Sequence, residues 1–356
     1  MIQKNLPAVS IVAPTYNVEK YVEQFLDSVL NQTFDDYELI IIDDCSTDRS
    51  VELVESYIDR FDGRMRLIKR DRNSGGDAIP KNTGIALSRG KYLLILDSDD
   101  MISKTALEEL YRIAEETDAD VLHAERYLTT DADVIDKSTV LKTKTSESVD
   151  KFVEEPTEVT DDLAERMKLY VQSKFFWFHW SKFFRRDFIV GNRIELPNLP
   201  ASSDLVFSFK CLCLAKKYVR IPTVFNVYRT RGGSMTRQNL SPESYIKKWA
   251  AILIDGLNEM ERFMDEQTFF VENPKYRFMV RDFYIQQAFH WTDRLYRKVS
   301  PAAIDRIVQR EFERHGGASI ALQSYLFSFA NLYRAQLVET RRQLGQLKRS
   351  VDNGDH

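Results

Sequence analysis

The run Tyr92-Leu93-Leu94-Ile95-Leu96, followed at once by Asp97-Ser98-Asp99-Asp100, constrains this chain more than any other segment. Five consecutive apolar residues bounded by charge suit a strand buried on both faces of a parallel sheet. Three carboxylates gathered at its end repel one another. A divalent cation with oxygen ligands relieves that repulsion. Open α/β sheets bind their ligands outside the carboxyl ends of the strands. The pattern predicts a metal-assisted site on a nucleotide-binding α/β domain. An acidic turn capping the helix that starts near Ser103 is the plainer alternative.

Residues 8–126 extend the same grammar. Val9–Ala13, ended by Pro14, then Leu39–Ile42, Met65–Ile68 and Tyr92–Leu96 read as strands. Between them, apolar residues recur at helical spacing, as in Tyr21, Val22, Phe25, Leu26 and Val29. Such a βαβα succession predicts a mostly parallel central sheet with helices on both faces. Residues 129–162 are polar and charged, and read as a flexible insertion or lid, with room for one edge hairpin. The aromatic patch Phe175-Phe176-Trp177-Phe178-His179-Trp180 reads either as core packing or as an acceptor-binding wall.

From Ser241 the chain reads as wholly helical. Ser241-Pro242 has the form of an N-cap followed by proline at the first helical position. Further helices are expected over about 275–298, 300–316 and 318–349. In the last, Leu326, Ala330, Tyr333, Leu337, Thr340, Leu344 and Leu347 alternate four and three apart. That spacing suits a packed amphipathic helix, or one used for homo-oligomer formation or peripheral membrane contact. The division expected is a nucleotide-binding α/β domain over 1–237 and a helical accessory domain over 238–356.

Composition narrows the class. The 356 residues are 43% hydrophobic and 29% charged, the balance of a globular protein. A net charge of −4 gives no general attraction to nucleic acid. Cys45, Cys211 and Cys213 lack zinc-site spacing and read as thiols of a reducing compartment. The first residues lack the features of a signal peptide, and no run reaches the roughly 18 apolar residues of a membrane span. A cytoplasmic protein is expected, with contact at the inner face of the membrane left open.

Four clusters fall where one cleft can collect them. Pro14-Thr15-Tyr16-Asn17 follows the first strand and offers a ring to stack on a planar base. Asp43-Asp44-Cys45-Ser46-Thr47-Asp48 follows the second, and offers a carboxylate to a base N–H or a cap to the next helix. Asn73-Ser74-Gly75-Gly76 permits close backbone approach, and Lys81 beyond it can meet a phosphate. The acidic cluster is the fourth.

Taken together, these segments resemble the family 2 glycosyltransferases of the GT-A fold over about residues 8–235. The Gly75-Gly76 then Pro80-Lys81-Asn82 variant is similar to the wall teichoic acid glycosyltransferases within that family. The resemblance implies a nucleotide-sugar donor, usually a UDP-sugar, with Pro14, Tyr16 and Asp44 at the uracil positions. It implies that Asp97 contacts ribose or sugar and that Asp99 binds Mn²⁺ or Mg²⁺. It puts Lys81 near a donor phosphate or sugar, where arginine is commoner in the teichoic acid enzymes. Asp204, in Ser202-Ser203-Asp204, stands at the catalytic base of a Glu-Asp motif whose glutamate is here Ser203. Arg229 and Arg231, in Tyr228–Thr236, match an arginine- and glycine-containing loop that closes over the diphosphate. The Gln-x-x-Arg-Trp motif of processive relatives is absent, so single-sugar transfer is expected. The acceptor implied is a glycan, a polymer or a lipid-linked intermediate. A sugar-1-phosphate nucleotidyltransferase and a non-catalytic nucleotide-sugar-binding scaffold are the rival readings.

Overall fold

Strand and helix alternate along the first part of the chain because short apolar runs alternate with helical spacing. In the computed structural model, residues 6–136, 139–145, 152–199, 203–230, 241–296, 299–314, 339–340 and 342–344 are described. β1 (Val9–Thr15), α1 (Val22–Leu30), β2 (Tyr37–Asp43), α2 (Ser50–Tyr57), β3 (Met65–Lys69), α3 (Ala78–Leu87) and β4 (Tyr92–Ile95) come first. β5 (Met101–Ile102), α4 (Ala106–Thr117), β6 (Val121–Ala124), β7 (Arg126–Thr130), β8 (Lys142–Thr145) and β9 (Thr157–Val159) follow. Then come α5 (Leu163–Val171), β10 (Lys182–Arg185), α6 (Arg186–Gly191), α7 (Ser203–Leu214), β11 (Tyr218–Ile221) and β12 (Asn226–Arg229).

The large sheet has the order β3-β2-β1-β4-β10-β6-β11-β9. β3, β2, β1 and β4 are mutually parallel, as are β6 and β11. β10 runs antiparallel to both its neighbours, with Phe183 opposite Leu94 and Leu122. Its first residues therefore lie at the carboxyl ends of β4 and β6. The central strands are buried along their length, which explains their unbroken apolar runs. A second sheet, β5-β12-β7-β8, carries β12 beside the residues that follow the acidic turn.

β1 does not stop at Pro14, as the sequence suggested. It continues to Thr15, with Pro14 opposite Ile42 and Thr15 opposite Asp43. Thr15 C=O accepts from Asp44 N–H at 2.8 Å, so Pro14 turns its main chain the other way. There Ser98 Oγ donates to the Pro14 carbonyl at 2.7 Å. β4 has already ended at this level, so no ladder bond needs the proline N–H.

The polar stretch 129–162 holds more strand than its composition indicated. β8 pairs with β7 as an antiparallel hairpin, and β9 joins the edge of the large sheet against β11. Edge strands bury little side-chain surface, so they need few apolar residues.

α3 lies directly on β1. A Cβ built on Gly84 would stand 2.3 Å from Val12 Cγ1. Val12 is β-branched and fully buried, so it cannot turn aside. Gly84→Ala is expected to destabilise the first unit by about 1–3 kcal/mol through overpacking. Chemical denaturation measures this, and an unchanged midpoint would mean that α3 is free to lift.

The chain divides into two compact units, 1–239 and 240–356. In the second, α8 (Pro242–Asp265), α9 (Thr268–Glu272), α10 (Pro274–Tyr296) and α11 (Pro301–Arg314) are helical. Ser241 Oγ accepts from Ser244 N–H at 3.2 Å, the cap expected before Pro242. Glu261 of α8 is buried against α10, where Arg277 and Arg281 both bond its carboxylate. Most of the expected helix 318–349 lies outside the described residues, which there are 339–340 and 342–344, all helical. No helix among the described residues is long and apolar enough to cross a membrane.

Candidate active site

The acidic turn sits at the carboxyl end of β4, and its carboxylates differ sharply in their surroundings. Asp97 Oδ1 lies 3.0 Å from Lys81 Nζ and 3.7 Å from His179 Nε2. Burial would raise the Asp97 carboxyl, but Lys81 and then His179 hold it far below its ordinary range. Lys81 is wholly buried on α3 and also pairs with Asp77, one turn back. Burial would lower its ammonium, and Asp77 and Asp97 together lift it above its ordinary value. The sequence offered Lys81 to a donor phosphate. With no exposed surface and two carboxylate partners, it serves instead as the counter-charge of Asp97.

Asp100 has the opposite fate. It is buried, Oδ1 accepts from Arg229 N–H at 2.8 Å, and Oδ2 has no hydrogen-bond partner. Burial, then Asp99 and Asp97, push its carboxyl well above the ordinary range. Arg229 also departs from expectation. Its guanidinium donates to the carbonyls of Asp99 (2.9 Å), Ala132 (3.3 Å) and Asp133, and to Gln24 Oε1 (2.8 Å). It also lies over the Tyr21 ring. A buried guanidinium with its donors so engaged braces the acidic turn and is not presented to a diphosphate. Arg231 lies outside the described residues.

On the other side of β1 the loops interlock. Asn17 and Cys45 both adopt left-handed backbone, with φ of 50° and 67°. Asn17 N–H donates to Ser46 Oγ, and Asn17 Oδ1 accepts from Thr47 N–H at 2.8 Å. This lock leaves Tyr16 with 47% of its surface exposed, a ring held out beside the strand ends. Asp44 is buried. Its carboxylate accepts from Arg70 and from Ser74 N–H (2.9 Å) and Oγ (2.7 Å). Its first task is thus to fix the 70–76 loop. Gly75 in that loop has φ +79° with open space around it, so conformation rather than room requires glycine there.

Asp204 lies in the first turn of α7, and its Oδ1 accepts from Leu205 N–H at 3.0 Å. Burial raises its carboxyl, His179 opposes the rise, and Asp77 adds to it. Ser203 beside it is buried. Asp77, Lys81, Asp97, His179 and Asp204 therefore form one electrostatic neighbourhood drawn from α3, β4, the turn before β10 and α7. His179 was not singled out in the sequence, because it lies within a run of aromatic residues. Its two polar ring atoms were the available signal.

That aromatic run is mostly packing. Phe178 stacks on Trp180 at 4.6 Å, Trp180 stacks on Tyr228 at 5.4 Å, and Tyr127 meets all three edge-on. Lys182 of β10 anchors the segment, Nζ donating to the carbonyls of Phe176 and Phe178 at 2.7 Å each. Burial pushes its ammonium down to about 7.

The acidic turn also fits a hard divalent cation. Among the described residues no three His, Cys, Asp or Glu side chains form a ready-made metal cage. Mg²⁺-type sites need none, because one or two carboxylates complete the coordination with substrate phosphates and water. The unpartnered Asp100 Oδ2, next to Asp99 in the chain, suits such an ion.

The sheet order, with an acidic turn at the carboxyl end of β4 and a helical second unit, is that of a GT-A type glycosyltransferase. Residues 10–186 match the model of Glycosyl transferase family 2, and the chain belongs to that family. It is 29% identical over 238 residues to the uncharacterized glycosyltransferase EpsJ of Bacillus subtilis (strain 168), covering 67% of this chain and 65% of EpsJ. It is 28% identical over 254 residues to the poly(ribitol-phosphate) beta-N-acetylglucosaminyltransferase TarS of Staphylococcus aureus (strain MW2). That match covers 70% of this chain and 40% of TarS, so the chain spans less than two thirds of either relative. The crystal structure of S. aureus TarS 1–349 with UDP-GlcNAc is similar with a TM-score of 0.55 and 22% identity, over 86% of this chain and 92% of that one. The mannosyltransferase PcManGT from Pyrobaculum calidifontis, with GDP-Man and Mn²⁺, is similar with a TM-score of 0.52 and 13% identity, over 91% and 87%. At these identities the two structural likenesses are ones of fold.

Proposed function

We propose that this protein transfers a single sugar, with inversion, from a UDP-sugar to an acceptor hydroxyl in the synthesis of a cell-surface glycan or polymer. The observation that carries the reading is the gathering of Lys81, His179 and Asp204 around Asp97 at the carboxyl end of β4. The family and the UDP-GlcNAc held by TarS support a nucleotide-sugar donor. The poly(ribitol-phosphate) acceptor in the name of TarS supports a polymer acceptor.

Tyr16 stacks on the base, with Pro14 beneath it and Asp44 holding the neighbouring loop so that Gly75 can approach the donor. Asp97, fixed by Lys81, accepts hydrogen bonds from ribose or sugar hydroxyls. Asp204 takes the proton of the acceptor hydroxyl as it attacks the anomeric carbon from the face opposite the diphosphate. Its burial raises the carboxyl toward the working pH, which makes it a stronger base. A Mg²⁺ or Mn²⁺ bound at Asp99 would neutralise charge on the leaving diphosphate, and Arg231 is the remaining candidate for a diphosphate partner.

Calorimetry tests the reading with UDP-GlcNAc, UDP-glucose, UDP-galactose and GDP-mannose, with and without Mn²⁺, on the wild type and Asp99→Ala. One UDP-sugar should bind in a metal-dependent way, and the dependence should vanish in the variant. Binding of no nucleotide sugar to the folded protein would reject the reading. Equal metal dependence in Asp99→Ala would remove the metal from that residue.

A further inference from the structure

His179 is a buried residue whose ring makes no hydrogen bond within the described residues of the protein. Its side chain is 3% exposed, and neither Nδ1 nor Nε2 has a hydrogen-bond partner. Buried polar atoms are nearly always partnered, so a ring with two orphaned nitrogens beside a site points to a partner that arrives with a ligand. The ring is not free to seek one elsewhere. Lys182 holds the carbonyls of Phe176 and Phe178, Ser181 Oγ donates to the Phe178 carbonyl, and Ser208 Oγ donates to that of Trp177. Phe178 and Trp180, on either side of His179 in the chain, are stacked on each other.

The direction of the ring identifies the partner. Nε2 stands 3.7 Å from Asp97 Oδ1, beyond hydrogen-bond reach, while Lys81 already occupies that oxygen at 3.0 Å. The ring also bears on the carboxyl of Asp204. Nε2 therefore stands at the donor-side carboxylate, close to it and not bonded to it. A neutral imidazole offers one donor and one acceptor. A phosphate oxygen only accepts, whereas a sugar hydroxyl or N-acetyl group does both. We propose that His179 is a specificity-determining contact to the transferred sugar, hydrogen-bonding one of its hydroxyl or amide groups beside Asp97. The inference rests on the nucleotide-sugar reading given above and assigns that site a residue which selects the sugar.

The test compares two ligands that differ only by the sugar. UDP, and whichever of UDP-GlcNAc, UDP-glucose and UDP-galactose the wild type binds, are titrated against wild type, His179→Ala and His179→Gln. UDP affinity should stay within about twofold, while UDP-sugar affinity falls about tenfold or more in His179→Ala, the effect of losing one good hydrogen bond. His179→Gln, which keeps a donor and an acceptor, should recover part of the loss. Equal weakening of UDP and UDP-sugar, or no weakening of either, would overturn the assignment. If His179→Ala does not fold, the same two titrations on His179→Gln decide, with a selective loss or altered sugar preference expected and unchanged binding of both ligands overturning it. A wild type that binds no nucleotide sugar would instead overturn the donor reading itself, and this inference would fall with it.

Discussion

Asp204→Asn is expected to lower kcat by about 10²–10⁴, the usual range for loss of a positioned general base. Its folded state should be as stable as the wild type or more so. Burial raises the Asp204 carboxyl, so keeping it ionised at neutral pH costs folding free energy. An amide removes that cost and keeps the acceptor for Leu205 N–H. Activity and stability should thus move in opposite directions, which separates a chemical role from a structural one. The pH profile follows with a definite sign. The base works when deprotonated, so activity falls as pH falls through the Asp204 value, which lies above the 3.8 of an ordinary aspartate. Near-normal kcat in a folded Asp204→Asn protein would remove the base assignment.

Lys81→Met should produce the largest loss of stability, about 3 kcal/mol, the low end of the 3–5 expected when one partner of a buried ion pair is removed. The low end applies because Asp97 and Asp77 retain 31% and 37% of their side-chain surface in contact with water. Lys81 is lifted above its ordinary 10.5, so its contribution is complete below that pH and lost only as pH rises through the higher folded value. Asp97 is depressed below 3.8, so its contribution is present above that pH and lost on acidification. The pair is therefore at full strength across the neutral range. Chemical denaturation at pH 7 measures the change. A loss under about 1 kcal/mol, the scale of a surface pair, would show that the buried ammonium gains little from its partners.

The parallel half of the sheet was legible because β1, β2 and β4 are buried on both faces and leave unbroken apolar runs in the sequence. β9 was not legible, since Thr157–Val159 has two exposed residues of three and earns its place through edge hydrogen bonds. Site residues followed the same division. Asp97 and Tyr16 stood out because strand ends are fixed by local pattern, whereas Asp204 stood out only through the resemblance to a family motif. The inward turns of Lys81 and Arg229 could not be read, because they depend on partners far away in the chain. Asp97 lies 16 positions from Lys81, and Gln24 lies 205 from Arg229. His179 was hidden for the same reason, its neighbours in space being Asp97 and Asp204 rather than the rings beside it in sequence.

The reversed direction of β10 has a consequence for how such a protein can change. A strand parallel to β4 delivers to the site the residues that follow it, whereas β10 delivers the residues that precede it, up to Lys182. The 174–181 segment is thus an approach rather than an exit, tethered where Phe183 meets Leu94 and Leu122. Lengthening or shortening it remodels the chain around His179 and leaves that tether in register. The segment is a natural place for grafting a new selectivity onto an unchanged catalytic frame.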